Sequence, residues 1–175
     1  VGVAAGVMTM SRRRILAGML VCGCGPVEGT AESSEAVLYL NFEGATLHAG
    51  AEDDATADLT GVQGLVGAHP GYVGTRTCDE VAATVREHFA AFMLEVVCER
   101  PTRAPYTMVV VSSVDLQADV ESGVAWRTGT PDCGNGNPSN VAVVEVANAI
   151  DVSGAALAMA VSHVAGVGFG LGFLA

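Results

Sequence analysis

Basic residues are scarce in this chain: 8 Lys and Arg stand against 19 Asp and Glu, for a net charge of −11 over 175 residues. That balance repels a nucleic-acid backbone or an anionic membrane surface, so nucleic acid is not expected as a partner. Aromatic residues make up only 5 % of the chain, and the sequence shows no internal repeat or low-complexity tract, which argues against a coiled coil, a repeat array or a disordered chain. Familiar catalytic signatures are missing as well. There is no G-x-x-x-x-G-K-[ST] and no G-x-G-x-x-G after the first apolar run, which removes the usual nucleotide loops. Ser112 and Ser113, with Asp115 nearby, lack a G-x-S-x-G elbow and an evident histidine partner, which speaks against a Ser-His-Asp hydrolase. What is abundant is apolar surface, half of all residues, together with 22 glycines. Length and composition together indicate one loop-rich globular domain with a real core.

The first segment reads as an address. Arg12, Arg13 and Arg14 precede an apolar run from Ile15 to Val21, the charged and hydrophobic regions of a secretory signal, with a run too short to span a bilayer. The following Val21-Cys22-Gly23-Cys24 resembles a bacterial lipobox, with Cys24 the best acylation site and Cys22 the second. Met8 or Met10 would then be the start of the signal. Residues 25–35 have the Gly, Pro, Glu, Ser and Thr composition of a short tether. The expected organisation is therefore a signal and lipobox over 1–24, a tether over 25–35 and a folded domain over 36–175, exported and held to the cell envelope by an N-terminal lipid.

Export puts Cys78, Cys98 and Cys133 in an oxidising compartment, where a disulfide is favoured over a free catalytic thiol. Cys78 and Cys133 lie where the chain can turn, whereas Cys98 ends a strand-like run, so the expected pair is Cys78 with Cys133. Spacing alone leaves the other connectivities open.

Ala36–Phe42 reads as a strand, and Glu43–Thr77, rich in Gly, Ala and Asp without a period, reads as a loop. Its carboxylates Glu43, Glu52, Asp53, Asp54 and Asp58 lack the spacing of a calcium loop and are read as a solvated acidic surface. Thr77-Cys78-Asp79-Glu80 is a capping box, so a helix is predicted from there to about Met93, burying Val81, Val85, Phe89 and Phe92 and exposing Arg86 and Glu87. His88, with no partner four residues away, is read as a surface histidine. Leu94–Cys98, Tyr106–Ser112 and Val141–Ala147 are β-rich runs, Gly123–Trp126 a short edge strand, and Pro131–Ser139 a turn-rich loop. Strands interleaved with helices predict an α/β (α+β) fold with a mixed, mostly parallel twisted sheet covered by helices.

Val152–Ala175 carries no charged residue and by hydropathy alone passes for a membrane span. Gly166, Gly168, Gly170 and Gly172 weaken a helix by roughly 1 kcal/mol each relative to alanine, and no basic residue anchors the end, which favours a buried core helix stopping near Gly168. Within it, Val161-Ser162-His163-Val164-Ala165-Gly166-Val167-Gly168-Phe169-Gly170-Leu171-Gly172-Phe173 resembles the active-site segment of metzincin-type zinc metalloproteases, H-E-x-x-H-x-x-G-x-x-H. His163 and Gly170 match. Val164 stands in the general-base position, and Val167 and Phe173 stand where the second and third histidines would be. The order of elements is similar to the upper half of the same family, and the resemblance implies a zincin-like domain with a central active-site-type helix but without the family's C-terminal subdomain.

The substitutions bear directly on chemistry. Zinc takes about three protein ligands in a catalytic site, and without it the attacking water keeps a pKa of about 15.7 rather than about 7. Loss of the general base removes a further ~10²–10⁴-fold in rate. His163 would be a metal-ligand remnant, or a core-boundary histidine held by a backbone carbonyl. The expectation is a metalloprotease-like lipoprotein without catalytic residues or cofactor, binding a peptide or protein partner along its edge strand. Two alternatives stay open: a working zinc endopeptidase with His163 joined by His48, His69 or His88, and a non-enzymatic envelope protein anchored by its apolar C-terminal segment.

Overall fold

The computed structural model describes residues 36–115, 123–129, 132, 135–148 and 150–171. The expected signal, Cys22, Cys24, the tether, Cys133 and Phe173 lie outside these residues. In chain order the elements are β1 (Ala36–Asn41), β2 (Gly44–Ala49), β3 (Leu59–Thr60), β4 (Gly67–Pro70), α1 (Cys78–His88), β5 (Leu94–Val97), β6 (Thr107–Val114), β7 (Val124–Arg127), β8 (Val141–Ala147) and α2 (Gly154–Gly168), with a 3-10 turn at Gln63–Leu65. The fold is mixed α/β, with two helices and two mixed sheets among the described residues.

The main sheet has the order β5-β1-β6-β8-β7. Its first four strands are parallel, and β7 closes one side antiparallel to β8. Near-continuous apolar runs in β6 and β8 fit strands covered on both faces. Period-two alternation divides their side chains. Leu38, Leu40, Val109, Val111, Val144 and Val146 pack against α1 and α2. Tyr39, Met108, Val110, Val141 and Val143 pack against Leu47, Ala55 and Leu65 of the segment that forms the smaller sheet. Each fully buried valine or leucine contributes roughly 1.5–3 kcal/mol over an exposed one.

That smaller sheet corrects the reading of Glu43–Thr77 as a loop: β2 pairs with β3 in parallel and with β4 antiparallel. Its strands are short, and in β2 only Leu47 is fully buried, so there is too little alternation to detect in sequence. The expected solvated acidic surface is also partly structural. Asp53 accepts bonds from Thr60 Oγ1 and Gly61 N at 2.9 Å each and from Val141 N at 3.1 Å. Asp54 accepts from Thr56 N at 3.0 Å, and its bonds to Thr56 hold its carboxyl below the usual range. Asp58 pairs with Arg100.

Helix α1 begins as the capping box requires, with Thr77 Oγ1 accepting from Glu80 N at 3.3 Å and Thr77 N donating to Glu80 Oε2 at 2.9 Å. These bonds favour the Glu80 carboxylate and lower its pKa. Val81, Val85 and Phe89 are buried as expected, but the helix ends at His88 rather than near Met93, and Phe92 is 41 % exposed. The chain turns there into β5, so residue 92 no longer follows the helical face.

The disulfide joins Cys78 to Cys98, not to Cys133. The reason is the path of the chain. Helix α1 runs down for about 16 Å and β5 returns for about 13 Å, which brings the helix start and the strand end to the same level. The Cα atoms are 6.0 Å apart, within bridging range.

Candidate functional site at the β7 edge and helix α2

Helix α2 is apolar almost all round, as a helix buried in a core should be. Ser153 caps its start by accepting from Ala156 N at 3.2 Å. Its end is a Schellman turn: Gly170 N donates to Val167 O at 3.0 Å and Leu171 N to Gly166 O at 2.8 Å. Gly170 sits at φ +70°, a conformation that costs an L side chain roughly 1–2 kcal/mol. The helix therefore stops at Gly168, as its glycines suggest. Among the described residues no helix is long and apolar enough to cross a membrane.

His163 lies at the boundary of the core on this helix, and burial pushes its pKa below the usual histidine value. Its ring is 4.9 Å from that of Trp126 on β7, tilted by 57°. Strand alternation explains the meeting. Val124 and Trp126 point to the helical side, where Val124 joins the core. Ala125 and Arg127 point to the other, where Arg127 Nε is 3.3 Å from Glu145 Oε2, a largely buried carboxylate.

Among the described residues β7 pairs only with β8, which makes it an edge. Ala147 N donates to Gly123 O at 2.8 Å, so residues 123 and 147 form a hydrogen-bonded pair. Such pairs alternate along an antiparallel ladder. By the register Ala125 with Glu145 and Trp126 with Val144, the backbone N–H and C=O of Trp126 point away from the sheet. The Trp126 side chain is 46 % exposed.

Beyond the end of β7, Thr128 and Gly129 open onto a cavity of about 330 Å³. Glu52, Asp53 and Asp132 supply its acidic wall, and Val164 and Gly168 of α2 form another side. Asp132 is fixed by accepting from Gly136 N at 3.0 Å and Asn137 N at 2.7 Å. Asn140 Nδ2 donates to Gly168 O at 2.8 Å, tying the loop to the helix end. Sequence reading missed this cavity. The Asp-x-x-x-x-Asn spacing of residues 132–137 signals a turn, but not which helix end that turn will face.

The residues singled out in the sequence are brought together only in part. His163 and Gly170 are on α2, with Val164 fully buried and Val167 4 % exposed. His48 and His69 belong to β2 and β4, on the opposite face of the main sheet, and His69 Nε2 donates to Leu65 O at 2.8 Å. His88 is exposed, as expected, with Nδ1 2.8 Å from Ser162 Oγ. Among the described residues no three His, Cys, Asp or Glu side chains converge as metal ligands. Ser112 is fully buried with no hydrogen-bond partner for its hydroxyl, Ser113 Oγ accepts from Val73 N at 2.9 Å, and Asp115 accepts from Asn148 Nδ2 at 2.8 Å, so none of the three meets a histidine. No family model matches the chain, and no curated protein and no solved structure matches it either.

Proposed function

We propose that this domain is a zincin-like scaffold without metal catalysis, which binds an extended peptide or protein segment along β7. The single observation that carries the binding role is the outward-facing backbone of Trp126 on an edge strand, flanked by its exposed ring and by His163. An added strand would exchange main-chain hydrogen bonds with residue 126, and its side chain opposite would lie over the Trp126 and His163 rings. The lowered pKa keeps His163 neutral at pH 7, so the pair acts as an aromatic shelf rather than a cation.

The zincin part of the reading is supported by the order of elements around the main sheet, by the antiparallel edge strand beside the last helix, and by Gly170 turning the chain after it. The described donor set does not fit a zinc ion: no group of three His, Cys, Asp or Glu side chains among the described residues could hold a metal, and the positions of the general base and the second histidine are buried valines. No step is therefore routed through a metal. The chain is further proposed to be exported and lipid-anchored through Cys24, on the strength of its N-terminal sequence alone.

Trp126 is the only tryptophan, so its emission reports on the site directly. Titration with extended peptides is expected to shift that emission saturably, and N-methylation of the peptide backbone is expected to abolish the shift. Zinc content of the purified protein tests the other half. Near-stoichiometric zinc, lost in His163→Ala, would overturn the non-catalytic reading.

A further inference from the structure

We infer that the cavity beyond β7 is a subsite for a cationic side chain, an arginine or lysine of the segment bound along β7; this rests on the peptide-binding reading above. Thr128 and Gly129 directly follow the strand and line the cavity, so one continuous stretch of chain borders both the β7 edge and the cavity.

The cavity is built for positive charge. Three of its described lining residues are acidic, Glu52, Asp53 and Asp132, and none is basic. The C-terminal end of α2 reaches it at Gly168, and the last turn of that helix carries no cation of its own. The negative end of a helix dipole thus adds to the carboxylates. Thr107 is the independent sign of a ligand. Thr107 lines the cavity and is 2 % exposed, strand alternation with Val109 and Val111 turns its side chain toward the α2 side of β6, and its hydroxyl has no hydrogen-bond partner. Leaving a buried hydroxyl without a partner is unfavourable, and a guanidinium or ammonium group would satisfy it.

An organic cation suits the geometry better than a metal ion. The two aspartates are already oriented by backbone N–H groups, and the acidic side chains do not converge as a ligand set. A guanidinium, with five donors spread over a plane, can address several separated acceptors. Of the five arginines from residue 36 onward, Arg76, Arg86, Arg100 and Arg127 are each bonded to internal partners, and none of the five lines the cavity.

The test uses the full chain and two probes. The first is a set of extended host peptides of Ala, Val and Ser carrying Arg, Leu or Glu at one scanned position, followed by Trp126 emission. The second is agmatine, a small guanidinium, followed by NMR shifts at Thr107 and Gly168. Arg peptides are expected to bind about 10-fold more tightly than Glu peptides at low salt. Glu52→Gln, at an exposed residue, is expected to reduce that preference by about 3-fold, and Thr107→Val to weaken agmatine binding while the fold is retained. Equal binding of all peptides, with no agmatine shift, would overturn the cationic subsite and leave the β7 reading standing. Agmatine binding at the cavity with no peptide binding would support the cation site and overturn the β7 reading instead.

Discussion

The two edges of the main sheet are treated in opposite ways. At β5 the edge is closed. Arg86 Nη2 donates to Val96 O at 2.6 Å, the exposed Glu95 and Glu99 put like charges along the strand and just past it, and the Cys78–Cys98 bridge pins its end to α1. These are standard ways to stop a second strand from adding. At β7 the backbone groups of Trp126 point outward, and the neighbouring side chains are an exposed indole and the His163 imidazole. Among the described residues the two edges therefore differ, and that difference supports the proposed binding role at β7.

The largest expected effect comes from opening the guarded edge covalently. Replacing both cysteines, Cys78→Ala with Cys98→Ala, releases a bridge that closes 20 residues. A loss of about 3 kcal/mol of stability is expected, read as a lower urea midpoint. An unchanged midpoint would mean that the bridge does not hold β5. Next in size, Trp126→Ala is expected to weaken peptide binding about 10-fold or more, measured with a labelled peptide, with the urea midpoint nearly unchanged because the indole is half exposed. Loss of binding together with a large loss of stability would instead make Trp126 a core residue. Arg86→Ala removes the bond to Val96 O and is expected to cost about 1 kcal/mol. It should also convert β5 into a second adhesive edge, visible as concentration-dependent association in sedimentation. A strictly monomeric variant would show that Arg86 is not the guard.

The smallest effect is pH dependence at the β7 edge. Burial lowers the pKa of His163 below the ordinary histidine value. The unfolded chain therefore takes up a proton before the folded one, so this group's contribution is intact above the unfolded pKa. It is lost as pH falls through about 6.5 toward the folded value. His163→Gln is expected to flatten the stability profile below pH 7, and the same profile in both proteins would remove His163 as its source.

Local chemistry was legible where one stretch of chain decides the outcome. The Thr77 cap, the face carrying Val81 and Val85, the runs of β6 and β8, the edge strand and the Gly170 turn all follow from neighbours within a few residues. The errors fall where the answer is non-local. Phe92 follows the helical period on paper, yet the helix stops before it. The short strands of the smaller sheet have little pattern of their own and exist by pairing with each other and packing on Leu47 and Leu65. The pairing of Cys78 depended on which elements return to the same level, which spacing cannot reveal.

The same division holds for the site. Sequence alone determined that His163 has no glutamate beside it and no histidine one turn on, because those are identities at fixed positions on one helix. Only the tertiary structure decided that Trp126 would cover His163, that the backbone of residue 126 would face outward, and that Glu52, Asp53 and Asp132 would surround the end of α2. Those groups come from segments far apart in the chain, and their distances are set by sheet register and core packing rather than by any local preference.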